Sequence, residues 1–356
     1  MEHDNYPLNA QHPWPRNQWW IAANADEVGQ VPLERTILGE PVVLYCTEAG
    51  VPVAMSGVCP HRGYPMALAR RHGDNLVCGY HGFGFEPSGT CIDIPSQDRV
   101  PSSWRIRAYP VVQRWEWVWI WTGDPSLADP SKIPDPWCVG KPGWRTQLGG
   151  RAHMQGRYPL LIDNLFDLSH LNYIHGSLVG DVSALVRTPV EMTEQQDGVF
   201  RLIRRVARMP WIDYFSFLFP ERAATPEPVY SEVFSDYYGP ALTVTGGPFF
   251  LHDSREKLGE LNFLHGITPE TLTSTHYFGG VTRDFRMHDD TFDEPNLNIY
   301  HAVRQQDIYV FPLVERNVSA GHMNRRVELS ASQDAGGVRV RRLLSAQIRK
   351  EYGEPE

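Results

Sequence analysis

Two Cys–His pairs constrain this chain most: Cys59-Pro60-His61 and Cys78-Gly79-Tyr80-His81, with sixteen residues between them. Two thiolates and two imidazoles form a metal-ligand set, so the chain must fold in a way that brings two short loops together. Zinc accepts such a set, and so does a [2Fe–2S] cluster in which two His replace two Cys on one iron. The first pair is tighter than the usual zinc-finger spacing. Glycine follows each pair, at Gly63 and Gly82, and permits tight turns whose backbone N–H groups reach sulfur. The run Tyr80-His81-Gly82-Phe83-Gly84-Phe85 is expected to shield the site from water. These features favour the cluster over an ordinary zinc ribbon.

With 356 residues the chain has room for one large domain or two ordinary ones. A net charge of −9 argues against a nucleic-acid partner, which needs a basic face. No apolar run approaches the length of a membrane helix. The polar start, Met1-Glu2-His3-Asp4-Asn5-Tyr6, does not read as a signal peptide. The cytoplasm is the expected compartment, and Cys46, Cys91 and Cys138 are expected to be buried free thiols.

The first third is rich in strand-like runs: Arg35–Leu38, Pro41–Tyr45, Val51–Met55 and Trp117–Trp121. The Cys–His loops fall between them. Pro and Gly crowd residues 123–144, which read as a link between domains. Beyond it the pattern predicts a helix over about 159–175, strands over about 198–282, and a helix over about 293–311. The expected fold class is α+β: a β-rich cluster domain over 1–123, then a domain over 124–356 of antiparallel sheet flanked by helices.

A second ligand-rich segment runs from Asp163 through Asn164, Asp167 and His170 to His175. Asp167 and His170 are one turn apart on a helix. His175 lies about 140° round an ideal helix from His170, so both imidazoles reach one metal only if the helix is distorted or frays. Two His and a carboxylate form the facial triad of non-haem Fe(II) oxygenases. The run Ile299, Val303, Asp307, Val310, Val314 steps along one helical stripe and places Asp307 on an apolar face, where a metal would neutralise it unless a basic residue such as Arg304 or Arg316 pairs with it or the stripe is partly exposed. Pro312 is expected to disrupt the end of that helix.

The two motifs, in this order, resemble those of the Rieske non-haem iron oxygenases, and within them the subgroup of vanillate O-demethylase, dicamba O-demethylase and toluenesulfonate methyl-monooxygenase. The likeness spans nearly the whole chain. It implies a [2Fe–2S] cluster held by Cys59, His61, Cys78 and His81, and a mononuclear Fe(II) held by His170, His175 and Asp307. It assigns an electron bridge to Asp167, a place beside the iron to Asn164, and substrate contact to His265. It also implies a head-to-tail homotrimer, in which His81 of one subunit meets Asp167 of the next, and electrons from a separate NAD(P)H-dependent reductase, with or without a ferredoxin.

The expected function is the terminal oxygenase of a monooxygenase system that hydroxylates, or O- or N-demethylates, an aromatic compound. The alternatives are a ring cis-dihydroxylase and a Rieske electron carrier without oxygenase chemistry. The relatives' aromatic acids call for cationic or amide donors, for which Arg208, Arg222, Arg255 and His265 are candidates. Against that, Asp213-Tyr214-Phe215-Ser216-Phe217-Leu218-Phe219-Pro220 is more aromatic than a small acid requires. Its aromatic rings and Trp211 either line the pocket or pack in the core.

Overall fold

The computed structural model describes residues 5–195 and 197–355. The chain divides into two compact units, one of Trp14–Ile133 with Thr268–Leu272, the other of the remaining described residues.

The N-terminal unit is built from small antiparallel sheets. The apolar, β-branched and aromatic runs form strands Leu33–Ile37, Glu40–Cys46, Pro52–Ser56 and Trp117–Trp121. A separate four-stranded sheet includes Asn75–Val77 and Gly84–Phe85, and the second Cys–His loop spans the gap between them. Val43, Met55, Met66, Leu76 and Phe85 form a core that also takes in Cys59 and Cys78. The ligand loops are thus anchored at their sulfur ends by hydrophobic burial.

The C-terminal unit centres on a seven-stranded sheet. In chain order its strands are β1 (Arg145–Met154), β2 (Glu191–Glu194), β3 (Phe200–Met209), β4 (Val229–Tyr237), β5 (Leu242–Leu251), β6 (Lys257–Thr271) and β7 (Ser274–Arg283). Their order in space is β1-β7-β6-β5-β4-β3-β2. Around it lie α1 (Tyr158–Phe166), α2 (Asp213–Leu218), α3 (Asp293–Ser319) and α4 (Ala335–Tyr352). Architecture and fold class are those expected.

Three details differ from expectation. The helix over 159–175 is not continuous, because α1 stops at Asp167, whose backbone leaves the helical region at φ −119°, ψ 84°. Its carboxylate instead accepts the Ser169 N–H at 3.0 Å and caps a new turn, as short Asp side chains do. The α3 helix passes through Pro312 to Ser319, held by buried Phe311, Glu315 and Val318. Glu315 is gripped by Arg157, with contacts down to 2.7 Å. The buried stripe of α3 is Asn296, Tyr300, Arg304, Asp307, Phe311, Glu315 and Val318, so Asp307 is buried as read but Val314 faces outward.

The division between units also falls at Ile133 instead of after residue 123. The 124–133 turns stay with the first unit, where Trp19 Nε1 donates to Asp129 O at 2.8 Å and Arg114 Nη1 to Ile133 O at 2.9 Å. Asn5–Pro13 belong to the other unit, where Arg157 Nη1 donates to Tyr6 O and Asn9 N–H to Ser345 Oγ, each at 2.9 Å.

Candidate functional site

The two Cys–His loops share one hydrogen-bonding scheme. Cys59 N–H donates to Tyr64 O and Gly63 N–H to Cys59 O, both at 2.9 Å; Cys78 N–H donates to Phe83 O at 2.8 Å and Gly82 N–H to Cys78 O at 3.0 Å. Each loop closes through a glycine in the left-handed region, Gly63 at φ +72° and Gly82 at +75°, which a side chain would strain. The sulfurs are buried and the imidazoles exposed, with the His61 and His81 rings 4.5 Å apart. Burial pushes the Cys59 thiol up to about 11, an effect to which the adjacent Cys78 adds. A buried pair of thiols with exposed imidazoles suits a metal group that supplies compensating positive charge. The aromatic cover is thinner than the sequence implied. Phe83 and Phe85 are buried, but Tyr80 is 61% exposed because its loop turns it away from the core.

In the other unit, the break after α1 brings His170 and His175 together. His175 sits at a junction between two short helical turns, φ −105° and ψ 1°. This is the distortion that lets both rings face one point, with centroids 5.2 Å apart. Asp307, from the buried face of α3, completes the group, and donor atoms of all three residues lie within 4.8 Å of one another.

Each imidazole is held by its other nitrogen. His170 Nδ1 lies 2.6 Å from Asp167 O, and His175 Nδ1 lies 2.8 Å from Gln306 Oε1. Both partners are acceptors, so each Nδ1 carries the hydrogen and each Nε2 presents a lone pair. Those lone pairs face Asp307 Oδ1, at 3.7 Å from His170 and 3.2 Å from His175. His175 Nε2 is buried and lacks a well-aligned hydrogen bond. Three such donors converging on one point suit a cation between them, and two His with one carboxylate suit non-haem Fe(II). Burial lowers the His170 pKa; burial also acts on His175, but Asp307 and Gln306 outweigh it and raise that pKa. Asn164 Nδ2 donates to the same Asp307 oxygen at 3.3 Å. Among the described residues neither Arg304 nor Arg316 forms an ion pair with Asp307.

Residues 18–110 match the Rieske [2Fe–2S] domain, and residues 154–350 match the vanillate O-demethylase oxygenase C-terminal domain. The chain is 33% identical to the oxygenase component of dicamba O-demethylase from Stenotrophomonas maltophilia, over 92% of this chain and 96% of that one. It is 31% identical to the oxygenase component of chloroacetanilide N-alkylformylase from Rhizorhabdus wittichii, over 96% and 97%. The crystal structure of dicamba monooxygenase bound to dicamba superposes with a TM-score of 0.81 at 30% identity, covering 95% of this chain and 98% of that one.

The chain is a Rieske non-haem iron oxygenase. Enzymes of this family use a Rieske cluster and a mononuclear iron, and this oxygenase carries both domains that house them. No helix among its described residues is long and apolar enough to cross a membrane.

Beside His170, His175 and Asp307 the oxygenase holds a cavity of about 170 Å³. His265 lines it, with Nε2 2.8 Å from Thr245 Oγ1 and Nδ1 2.5 Å from the Tyr277 hydroxyl. Burial lowers its pKa to about 3, so the ring is neutral. Tyr214 and Phe215 line the cavity too, whereas Phe217 and Phe219 pack on Phe292 and Phe285. The candidate cations Arg208, Arg222 and Arg255 lie outside it; Arg222 pairs with Glu256.

Sequence reasoning missed two neighbours of the candidate residues. Gln306 precedes Asp307 and holds the other ring nitrogen of the same His175. Arg204, on β3, reaches Asp167 across the fold. Neither belongs to a recognisable local motif, so only tertiary contact identifies them.

Proposed function

We propose that this oxygenase removes a methyl or other alkyl group from oxygen or nitrogen on an aromatic substrate, with His170, His175 and Asp307 holding the iron. Cys59, His61, Cys78 and His81 hold the cluster. The observation that carries the reading is the pair of Nδ1–H groups locked onto carbonyl acceptors, which aim both Nε2 atoms and Asp307 at one point beside an apolar cavity. Iron bound there, supplied with electrons through the cluster, provides the O₂ chemistry that hydroxylates a C–H bond.

The chain's own residues do the positioning. Asn164 holds the Asp307 carboxylate by donating to it. Leu165, Leu168, Phe249 and Ile299 seat the substrate's apolar body and exclude water. His265, fixed by Thr245 and Tyr277, forms a rigid polar edge that orients the ring. Hydroxylation of an O-methyl carbon consumes O₂, two electrons and two protons and releases water. The resulting hemiacetal loses its C–O bond to the methyl carbon, giving a phenol and formaldehyde.

Electrons come from a separate NAD(P)H-dependent reductase, directly or through a ferredoxin. A head-to-tail trimer brings His81 of one subunit to Asp167 of the next. In support, His81 is exposed, the Asp167 side chain is 31% exposed, and Tyr173, close by in sequence, is 81% exposed. The cytoplasm is the compartment that suits these donors.

The test is a single turnover. Chemically reduced, iron-loaded protein is mixed with O₂ and aryl methyl ethers, N-alkyl anilides or methyl-bearing aromatic acids. Formaldehyde in proportion to cluster oxidised is the expected result. A dihydrodiol would point to ring dihydroxylation, and cluster oxidation without product would overturn the oxygenase assignment of this site.

A further inference from the structure

Carbon makes up nearly all of the surface of the cavity beside His170, His175 and Asp307. Leu171, Val182, Met209, Phe263, Ile299 and Val303 are typical of its walls. Two of the polar side chains that reach it are already engaged, and a third, Tyr214, offers only a neutral hydroxyl. His265 is bonded at both ring nitrogens, and Asn164 Nδ2 is donated to Asp307.

Arg304 is the one guanidinium among the described lining residues, and it is directed into the helix–sheet packing. Its Nη1 donates to Gly150 O at 3.0 Å and Gly149 O at 3.4 Å, and its plane lies over the Tyr277 and Tyr300 rings at 5.5 and 5.4 Å. Its Nε is buried, and the whole residue is 4% exposed. The other charged side chain at the cavity, Asp307, is committed with His170 and His175 to the iron of the proposed function, and an anion that bound that iron would take the position O₂ needs. A carboxylate or sulfonate entering this space loses its hydration and finds no open cationic fork to replace it. An uncharged aromatic ether or anilide gives up mainly apolar hydration, and desolvating its one neutral polar group costs far less than desolvating an anion. The volume, about 170 Å³, is of the order that accepts one benzene-type ring.

We propose that the substrate is an uncharged single-ring aromatic, an aryl alkyl ether or N-alkyl anilide, and not an aryl carboxylate or sulfonate. The chemistry rests on the dealkylation reading above; the selectivity for a neutral ligand rests on the cavity alone.

The experiment is calorimetric titration of the anaerobic holoenzyme with matched pairs at about pH 7.5, where benzoic acids are ionised. The pairs are 4-methylanisole against 4-methoxybenzoate, and N-methylacetanilide against its ring 4-carboxylate. Each compound is then carried through a single turnover with formaldehyde detection. The neutral member of each pair is expected to bind about 100-fold more tightly. Equal or tighter binding of the carboxylates, or no binding by either series, overturns the proposal. Carboxylate binding that is lost in Arg304→Met would identify Arg304 as an anion anchor and overturn it too. Tight binding of the neutral compounds without formaldehyde supports the assignment of the cavity and sinks the dealkylation reading instead.

Discussion

Arg204 Nη2 lies 3.9 Å from Asp167 Oδ1, and this fully buried guanidinium makes no hydrogen bond among the described residues. Burial lowers the Arg204 pKa, and the Asp167 carboxylate opposes that shift. A buried cation whose nearest counter-charge is the proposed electron bridge contributes position more than stability. Arg204→Met removes a buried charge without a hydrogen-bond partner among the described residues and leaves behind an Asp167 side chain that is 31% exposed to water. Stability is therefore expected to stay within about 1 kcal/mol of the parent or to rise, while steady turnover falls about tenfold. Calorimetric unfolding beside product formation checks this. Unchanged turnover would remove Arg204 from the electron path.

Asp167 joins the two redox functions in the proposed trimer, and its backbone carbonyl already fixes His170. Asp167→Asn keeps that carbonyl and the side-chain cap on Ser169 N–H and removes only the negative charge. Turnover is expected to stop while both metals stay bound, by iron analysis and by the cluster's visible spectrum. Normal turnover in this variant would sink the bridge.

Gln306 holds His175 in the tautomer that presents Nε2. Partners of this kind typically change metal affinity about 10–100-fold when removed. Gln306→Leu is expected to lose iron to a chelator at that lower affinity, with the cluster spectrum unaltered. His175→Ala should abolish iron binding outright.

Gly82 occupies φ +75°, and a Cβ there would meet Pro95 Cγ at 2.8 Å. Gly82→Ala combines backbone strain with a steric clash, at a cost of about 1–3 kcal/mol. The expected outcome is loss of the cluster's visible absorbance at lower temperature than in the parent. Iron at the other centre should be retained.

Acid stability carries a signature of His265. Its folded pKa of about 3 lies below the ordinary value of 6.5, so the unfolded chain takes up a proton that the folded chain refuses. Its stabilising contribution is full above pH 6.5 and is lost as pH falls from there towards 3. The slope approaches about 1.4 kcal/mol per pH unit. Denaturant titration of the parent and of His265→Gln at several pH values should show a shallower decline in the variant. Parallel curves would show that His265 titrates normally.

Local chemistry carried much of this protein's design in plain view. Cys59, His61, Cys78 and His81 stand in short, glycine-punctuated loops, so their spacing alone implied a shared metal group. Asp163–His175 declared a second ligand set for the same reason, and the buried position of Asp307 followed from helical periodicity. Strand runs such as Trp117–Trp121 were legible because their β-branched and aromatic residues leave little choice of conformation.

Tertiary structure decided what depends on long-range packing. The break at Asp167, which lets His170 and His175 converge, arises because one carboxylate caps a new turn, a choice that helical spacing does not reveal. Arg304, a cation one turn from Asp307 in sequence, proved to bind the β1 backbone instead of the carboxylate, because packing against Tyr277 and Tyr300 points it there. The aromatic segment 213–220 divided between cavity wall and core for the same reason. Residue types and short spacings therefore determined which chemistry this chain carries. Only the folded arrangement of side chains decided which charges face the substrate and which are already satisfied.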